Sequence, residues 1–236
     1  MKNWVVVSES VKNKHDGLCS YLNYLVAENH KNHINKTRIV PIHNSVKSFI
    51  NNCVEQVTFR NLERAKNKRG GRSIASFGQS FIFSLPSEIT LFDHQWKLIA
   101  KHIFSDLADY LAIDQKTLLK HSFINLHDED KQHINVVVSK VIDGKVIRDI
   151  QRKAVIKLLK CSFNTSVLKY SNYNNENYIP ETQRGKRYKK HYYLENTDAI
   201  NALHAKNTEN YNILESGRVE QDKDKQQNNR TRRFYD

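Results

Sequence analysis

The feature that most constrains this chain is a stretch of alternating apolar residues broken by one short polar loop. It reads Phe123-Ile-Asn-Leu-His127-Asp128-Glu-Asp130-Lys-Gln-His133-Ile-Asn135-Val-Val-Val-Ser-Lys140. Side chains on a strand alternate between faces, so His133 and Asn135 share one face while Ile134 points the other way. Residues 128–132 predict a hairpin loop between strands at 123–127 and 133–141. Closing that hairpin brings His127 beside His133 and converges two imidazoles and one carboxamide on a gap the size of a metal ion.

The flanking elements follow from the hydrophobic period. Trp4–Val7 reads as a first, β-branched strand. Apolar residues at 18, 21, 22, 25 and 26 predict a helix from Gly17 to Glu28. Thr37–Ile42 reads as a strand, and Pro41 assigns it to an edge or a strand end. Val46, Phe49, Ile50, Cys53, Val54 and Val57 predict a helix from Ser45 to about Lys68, and a strand is expected late in Ser73–Leu85. Ser87 is the expected N-cap of a long helix carrying Ile89, Phe92, Trp96, Ile99, Ile103, Leu107, Tyr110 and Leu111. Asp143-Gly144 marks a turn, Val146-Ile147 a short returning strand, and a helix is expected from Arg148 to about Phe163. The order β-α-β-α-β-α-β-β-α predicts an α+β fold, an antiparallel sheet flanked by helices. After Leu168 Asn, Tyr and Lys dominate, which predicts a domain at 1–168. A basic extension at 169–236 would follow, with one helix near 196–214 and a disordered tail from about 217.

Among 236 residues, 38 Lys and Arg face 25 Asp and Glu, a formal net charge of +13. That excess favours a polyanionic partner, nucleic acid before membrane. Its densest runs are Arg64–Arg72 and Arg184–Lys190. No apolar run approaches the roughly 20 residues of a membrane span, and the N-terminus has no signal-peptide core. Cys19, Cys53 and Cys161 are widely spaced and fit neither a disulfide framework nor a zinc pattern, so a reducing cytoplasm is expected.

The hairpin, with its His127-Asp-x-Asp-x-x-His133-Ile-Asn135 spacing and the following Lys140, resembles the metal-binding motif of plasmid mobilisation relaxases, the Mob-type branch of the HUH endonuclease superfamily. Members typically carry His-Asp-x-Asp-x-x-His-hydrophobe-His, so Asn135 stands where the last histidine is usual. Ser80-Phe-Ile-Phe-Ser-Leu-Pro-Ser-Glu-Ile-Thr resembles the strand, Leu-Pro and helix start of these proteins. Leu18-Cys-Ser-Tyr21-Leu-Asn-Tyr24-Leu25 resembles the helix that supplies their nucleophilic tyrosine. The resemblance covers about residues 1–165. It implies a divalent metal, Mg²⁺ or Mn²⁺, on His127, His133 and Asn135; a carboxamide oxygen suits such hard ions better than softer ones. It implies Tyr24 as the attacking group, with Tyr21 the second candidate, and Asp128 or Asp130 to take its proton or orient a ligating histidine, with Asp128 favoured because it adjoins the cluster. The activity implied is strand-specific nicking through a 5′-phosphotyrosine link at a plasmid origin of transfer. Partners would be DNA, single-stranded at the nick, and other relaxosome proteins. Phosphate contacts are expected from Arg64, Lys66, Lys68, Arg69, Arg72, Lys140, Arg184, Lys186 and Arg187. Tyr173, Tyr178, Tyr188, Tyr192 and Tyr193, among basic residues, suit stacking on unpaired bases.

Plainer readings stand beside these. The histidines and Asn135 could be ordinary polar residues of a solvent-facing strand, and Tyr21 and Tyr24 core aromatics. His30 and His33 suit a helix C-terminus, where imidazolium meets the negative dipole end. A rolling-circle replication initiator would use the same chemistry. A non-catalytic DNA-binding accessory protein or repressor on a decayed nuclease scaffold is kept open by Asn135.

Overall fold

The computed structural model describes residues 4–30, 37–68, 70, 73–176 and 178. Its centre is one antiparallel sheet of β1 (Val5–Ser10), β2 (Arg38–His43), β3 (Gly78–Ser84), β4 (Ser122–Asp128) and β5 (His133–Ser139), in the order β1-β3-β5-β4-β2. The long helices are α1 (Lys14–Val26), α2 (Val46–Lys66), α3 (Asp93–Leu111) and α5 (Lys153–Ser171), with a short α4 (Gln115–Lys120) before β4. The expected α+β class, an antiparallel sheet flanked by helices, is the observed one.

Strand alternation builds two cores. Phe81, Phe83, Ile124, Leu126, Ile134, Val136 and Val138 join α3 and α5 around Trp96, Phe104 and Phe163. Phe123 and Val137, on the opposite face, join Leu18, Leu22 and Leu25 of α1 and Phe49 and Cys53 of α2. Burying each such side chain is worth about 1.5–3 kcal/mol, so a one-residue slip that turned these residues outward would be prohibitive. Pro41 lies in edge strand β2, where the register shifts between Pro41 and His43; an edge tolerates the missing donor.

Several boundaries differ from those expected. The long helix begins at Asp93, not after Ser87. Gln132, in the histidine hairpin's loop, accepts from the Leu91 backbone N–H at 2.7 Å and from Trp96 Nε1 at 3.1 Å. Ile89 and Leu91 are therefore buried on a non-helical segment, and their spacing only imitates a helical period. The short α4 lacked enough period to be anticipated; it starts on Asp114, whose carboxylate accepts from the Thr117 N–H at 2.9 Å. Residues 149–151 form a 3-10 turn, so the last long helix starts at Lys153. It continues through Ser171, across the position where the composition changes, because Ser166 and Val167 are fully buried. Asp143 and Gly144 both take positive φ, 49° and 69°, as a two-residue hairpin turn requires. That turn joins β6 (Val141–Ile142) to β7 (Lys145–Val146). The helix expected near 196–214 and the tail lie outside the described residues.

Candidate metal centre and nucleophile

His127 and His133 are direct partners across β4 and β5, and Asn125 and Asn135 are the next pair on the same face. The two imidazoles are brought together as the hairpin predicts, with centroids 4.9 Å apart at 58°. His127 and Asn135 are each 1 % exposed, which removes the solvent-facing reading for both.

The end of α1 orients this cluster. Carbonyls of a helix's last turn lack intrahelical donors. That of Leu25 accepts instead from His127 Nε2 at 2.8 Å and from Asn125 Nδ2 at 2.6 Å. A carbonyl can only accept, so His127 carries its proton on Nε2, and Nδ1 is the lone-pair nitrogen. In the same way His133 Nδ1 donates to the Lys131 carbonyl at 3.0 Å, which makes Nε2 its lone-pair nitrogen. Each imidazole thus has the outer-shell backbone acceptor characteristic of metal-binding histidines. The negative end of the α1 dipole also faces the cluster and favours a cation there.

Among the described residues no group of three or more His, Cys, Asp or Glu is arranged to hold a metal; the next pair on the face of the two imidazoles is the carboxamides of Asn125 and Asn135. Asn135 Nδ2 and Asn125 Oδ1 are both buried without a hydrogen-bond partner among the described residues. An unsatisfied buried polar atom costs about 1–3 kcal/mol, and turning the Asn135 amide over, which exchanges its oxygen and nitrogen, offers the cluster an oxygen ligand. Two imidazole nitrogens and one carboxamide oxygen would make a mixed nitrogen–oxygen donor set for a divalent ion.

Asp128 is not brought into the cluster. Adjacent to His127, it points to the opposite face, where Arg38 donates to Oδ2 at 2.9 Å and Gln132 to Oδ1 at 2.7 Å. Arg38 also pairs with Asp93 at 2.7 Å and holds that carboxyl below its ordinary value. Among the described residues the carboxylate paired with these imidazoles is Glu129, whose Oε1 lies 3.5 Å from His133 Nδ1 and whose Oε2 accepts from Thr37 at 3.0 Å. Neither Glu129 nor Asn125 was singled out from sequence. Asn125 could have been, since it lies two residues before His127 and so on its face.

Both candidate tyrosines lie on α1, half-buried, with ring centroids 6.4 Å apart. Tyr21 shares a 2.6 Å hydrogen bond with the Ser80 hydroxyl. Burial pushes its phenol above the ordinary value, against the opposing effect of Ser80. Tyr24 immediately precedes Leu25, whose carbonyl holds His127, and its ring meets His30 edge-on at 4.8 Å.

Of the expected phosphate contacts, Arg64 is half-buried and donates to the Gly70 carbonyl, while Lys66 and Lys68 are exposed. Arg69, Arg72, Arg184, Lys186 and Arg187 lie outside the described residues, as do Tyr188, Tyr192 and Tyr193. Tyr173 is exposed, and the Tyr178 hydroxyl donates to Glu88 at 2.7 Å. Lys140 corrects the expectation made for it. It is 4 % exposed and donates to Ser10 Oγ at 2.7 Å, so its charge is not offered to a surface phosphate.

Burial pushes the Lys140 ammonium down from 10.5 to about 8. Below pH 8 the folded chain carries a desolvated charge. Between about 8 and 10.5 the unfolded chain binds more protons, so stability rises with pH there. Lys140→Met is expected to stabilise the protein at pH 7 by about 1–3 kcal/mol and to flatten that rise. Urea melts at pH 7 and in the alkaline range check both.

No protein-family model matches the sequence, and no curated protein sequence matches it. Among solved structures, the fold is that of a relaxase domain. The MobM relaxase domain (MOBV; Mob_Pre) bound to plasmid pMV158 oriT DNA, in a Mn-bound crystal structure, superposes with a TM-score of 0.50 at 15 % identity. The match covers 77 % of this chain and 94 % of that one. A second structure of the same domain, bound to a 26-nucleotide pMV158 oriT DNA, gives a TM-score of 0.47 at 13 % identity, over 77 % and 96 % of the two chains. Among the described residues no helix is long and apolar enough to cross a membrane.

Proposed function

We propose that this protein nicks one DNA strand at a plasmid origin of transfer by tyrosine transesterification. The observation that carries this reading is the His127–His133 pair, side by side across β4 and β5 with each ring anchored on a backbone carbonyl. The DNA-bound relaxase domains with the same fold agree with it.

A divalent cation held by His127, His133 and Asn135, when bound, would polarise a non-bridging oxygen of the scissile phosphate. Tyr24 Oη attacks the phosphorus, so that a tyrosine O–P bond forms as the P–O3′ bond breaks. The phenol, with a free pKa near 10, loses its proton to water as it attacks, and the departing 3′-oxygen takes one from water to leave as a hydroxyl. We assign to Glu129, in place of Asp128, the role of orienting a histidine, because its carboxylate lies beside His133 Nδ1 and Asp128 is engaged by Arg38 and Gln132. Leu25 and Lys131 keep both rings in the tautomers needed. Lys66, Lys68 and Arg64 supply phosphate contacts.

The test is incubation of the full chain with supercoiled plasmid carrying its own origin, with Mg²⁺ or Mn²⁺. The expected result is open circles with protein attached to the 5′ end. DNA binding with no nick under either metal would favour a non-catalytic DNA-binding protein, the reading that Asn135 keeps open.

A further inference from the structure

A groove of about 730 Å³ lies between the second half of α2 and the β6–β7 turn. Arg60, Arg64, Lys145 and Arg148 line it, against only two carboxylates, Glu63 and Asp143. Among the described residues none of Arg60, Lys145 and Arg148 has an ion-pair partner. Arg60 Nη1 is buried there without a hydrogen-bond acceptor among the described residues. Arg60, Lys145 and Arg148, gathered in one groove without ion-pair partners among the described residues, repel one another, and a bound anion would relieve that repulsion. Burial, then the like charges of Arg64 and Arg148, push the Arg60 guanidinium below its ordinary value.

The rim adds an aromatic. Phe59 is 50 % exposed and also lines the groove. One part of its ring rests against Gly144, where an added Cβ would meet ring carbons at 2.8 Å. The ring is therefore braced from the turn side while half of it faces solvent. Guanidiniums beside a braced, exposed ring suit a chain of phosphates carrying bases better than they suit a lone phosphate.

We propose that this groove is a second nucleic-acid contact, in which Arg60, Arg64, Lys145 and Arg148 hold backbone phosphates and Phe59 stacks on an unpaired base. It deepens the nicking reading and rests on it only for the identity of the polyanion. The groove follows the Ser139 end of β5, whereas His133 begins that strand. About 20 Å of strand separates the two ends, so the groove grips DNA several nucleotides from the scissile phosphate.

The experiment measures binding by the full chain in EDTA, so that cleavage plays no part. The probe is a fluorescein-labelled oligothymidine long enough to run the length of β5, with inorganic pyrophosphate as the small-anion arm. Arg60→Gln/Arg148→Gln is expected to weaken oligonucleotide binding about 10-fold at 0.1 M salt and to flatten the log–log salt slope by about 1.4. The exposed single variants Lys145→Gln and Arg148→Gln, which disturb no packing, should each flatten it by about 0.7. Phe59→Leu should weaken oligonucleotide binding about 5-fold or more and leave pyrophosphate binding unchanged. Unchanged affinity and slope in the arginine and lysine variants would overturn the proposal. So would loss of pyrophosphate binding with oligonucleotide binding intact, which would make the groove a small-anion pocket. If the wild type never nicks its plasmid yet these variants lose oligonucleotide affinity, the groove stands and the nicking reading falls.

Discussion

Tyr24→Phe is expected to abolish covalent attachment to DNA and to lower nicking on the order of 10³-fold or more, the scale on which a lost nucleophile acts. The substitution deletes one oxygen and keeps the ring against His30 and Tyr21, so fold and DNA affinity should hold. The choice of Tyr24 over Tyr21 follows from their surroundings. The Tyr21 hydroxyl is committed to Ser80 at 2.6 Å, and burial opposes its ionisation. Tyr24 adjoins the residue whose carbonyl orients His127. The check is a plasmid-nicking gel with denaturing detection of protein–DNA adducts, run beside Tyr21→Phe. Nicking retained in Tyr24→Phe and lost in Tyr21→Phe would reverse the assignment while leaving the transesterification intact.

His127→Ala carries the second large effect, with two consequences that separate cleanly. Loss of one of the three proposed ligands should weaken Mn²⁺ binding and lower nicking by about 10²–10⁴-fold, since a bound cation would stabilise several kcal/mol of charge at the phosphate. The same change empties a buried site and removes a donor from the Leu25 carbonyl, which should cost about 2–4 kcal/mol of stability. His133→Ala distinguishes the two. Its ring is more exposed and, among the described residues, its polar partners are the nearby Lys131 carbonyl and Glu129, so nicking should fall as far with little change in melting temperature. Mn²⁺ titration followed by electron paramagnetic resonance, beside thermal melts, reads both effects. Undiminished Mn²⁺ affinity in both variants would place the metal elsewhere.

The Asp128 and Glu129 pair illustrates a limit of motif reading. The motif spacing drew attention to Asp128, adjacent to His127. Alternation within β4 sends consecutive side chains to opposite faces, so that adjacency is the reason Asp128 cannot share the site of His127. It serves the face that packs on α3, with Arg38 and Gln132. Glu129 reaches His133 because it lies in the loop, where the alternation stops. Ser87 failed as a helix start for a comparable reason: Gln132, more than forty residues away in sequence, captures the Leu91 N–H and postpones α3 to Asp93. Lys140, charged and close to the motif, reads as a surface contact until the neighbours that bury it are in place.

Readable in the chain alone were the strands, the long helices, the class of fold and the meeting of His127 with His133. All of these rest on local periodicity and on a tight hairpin, and information within a few residues is enough to specify them. What emerged only with folding were the Leu25 carbonyl that sets the tautomer of His127, the exchange of Glu129 for Asp128, the burial of Lys140 and the arginine groove beside Gly144. Each depends on segments tens of residues apart being brought into contact. Packing of the whole core selects such partners, and no local pattern of residues encodes them.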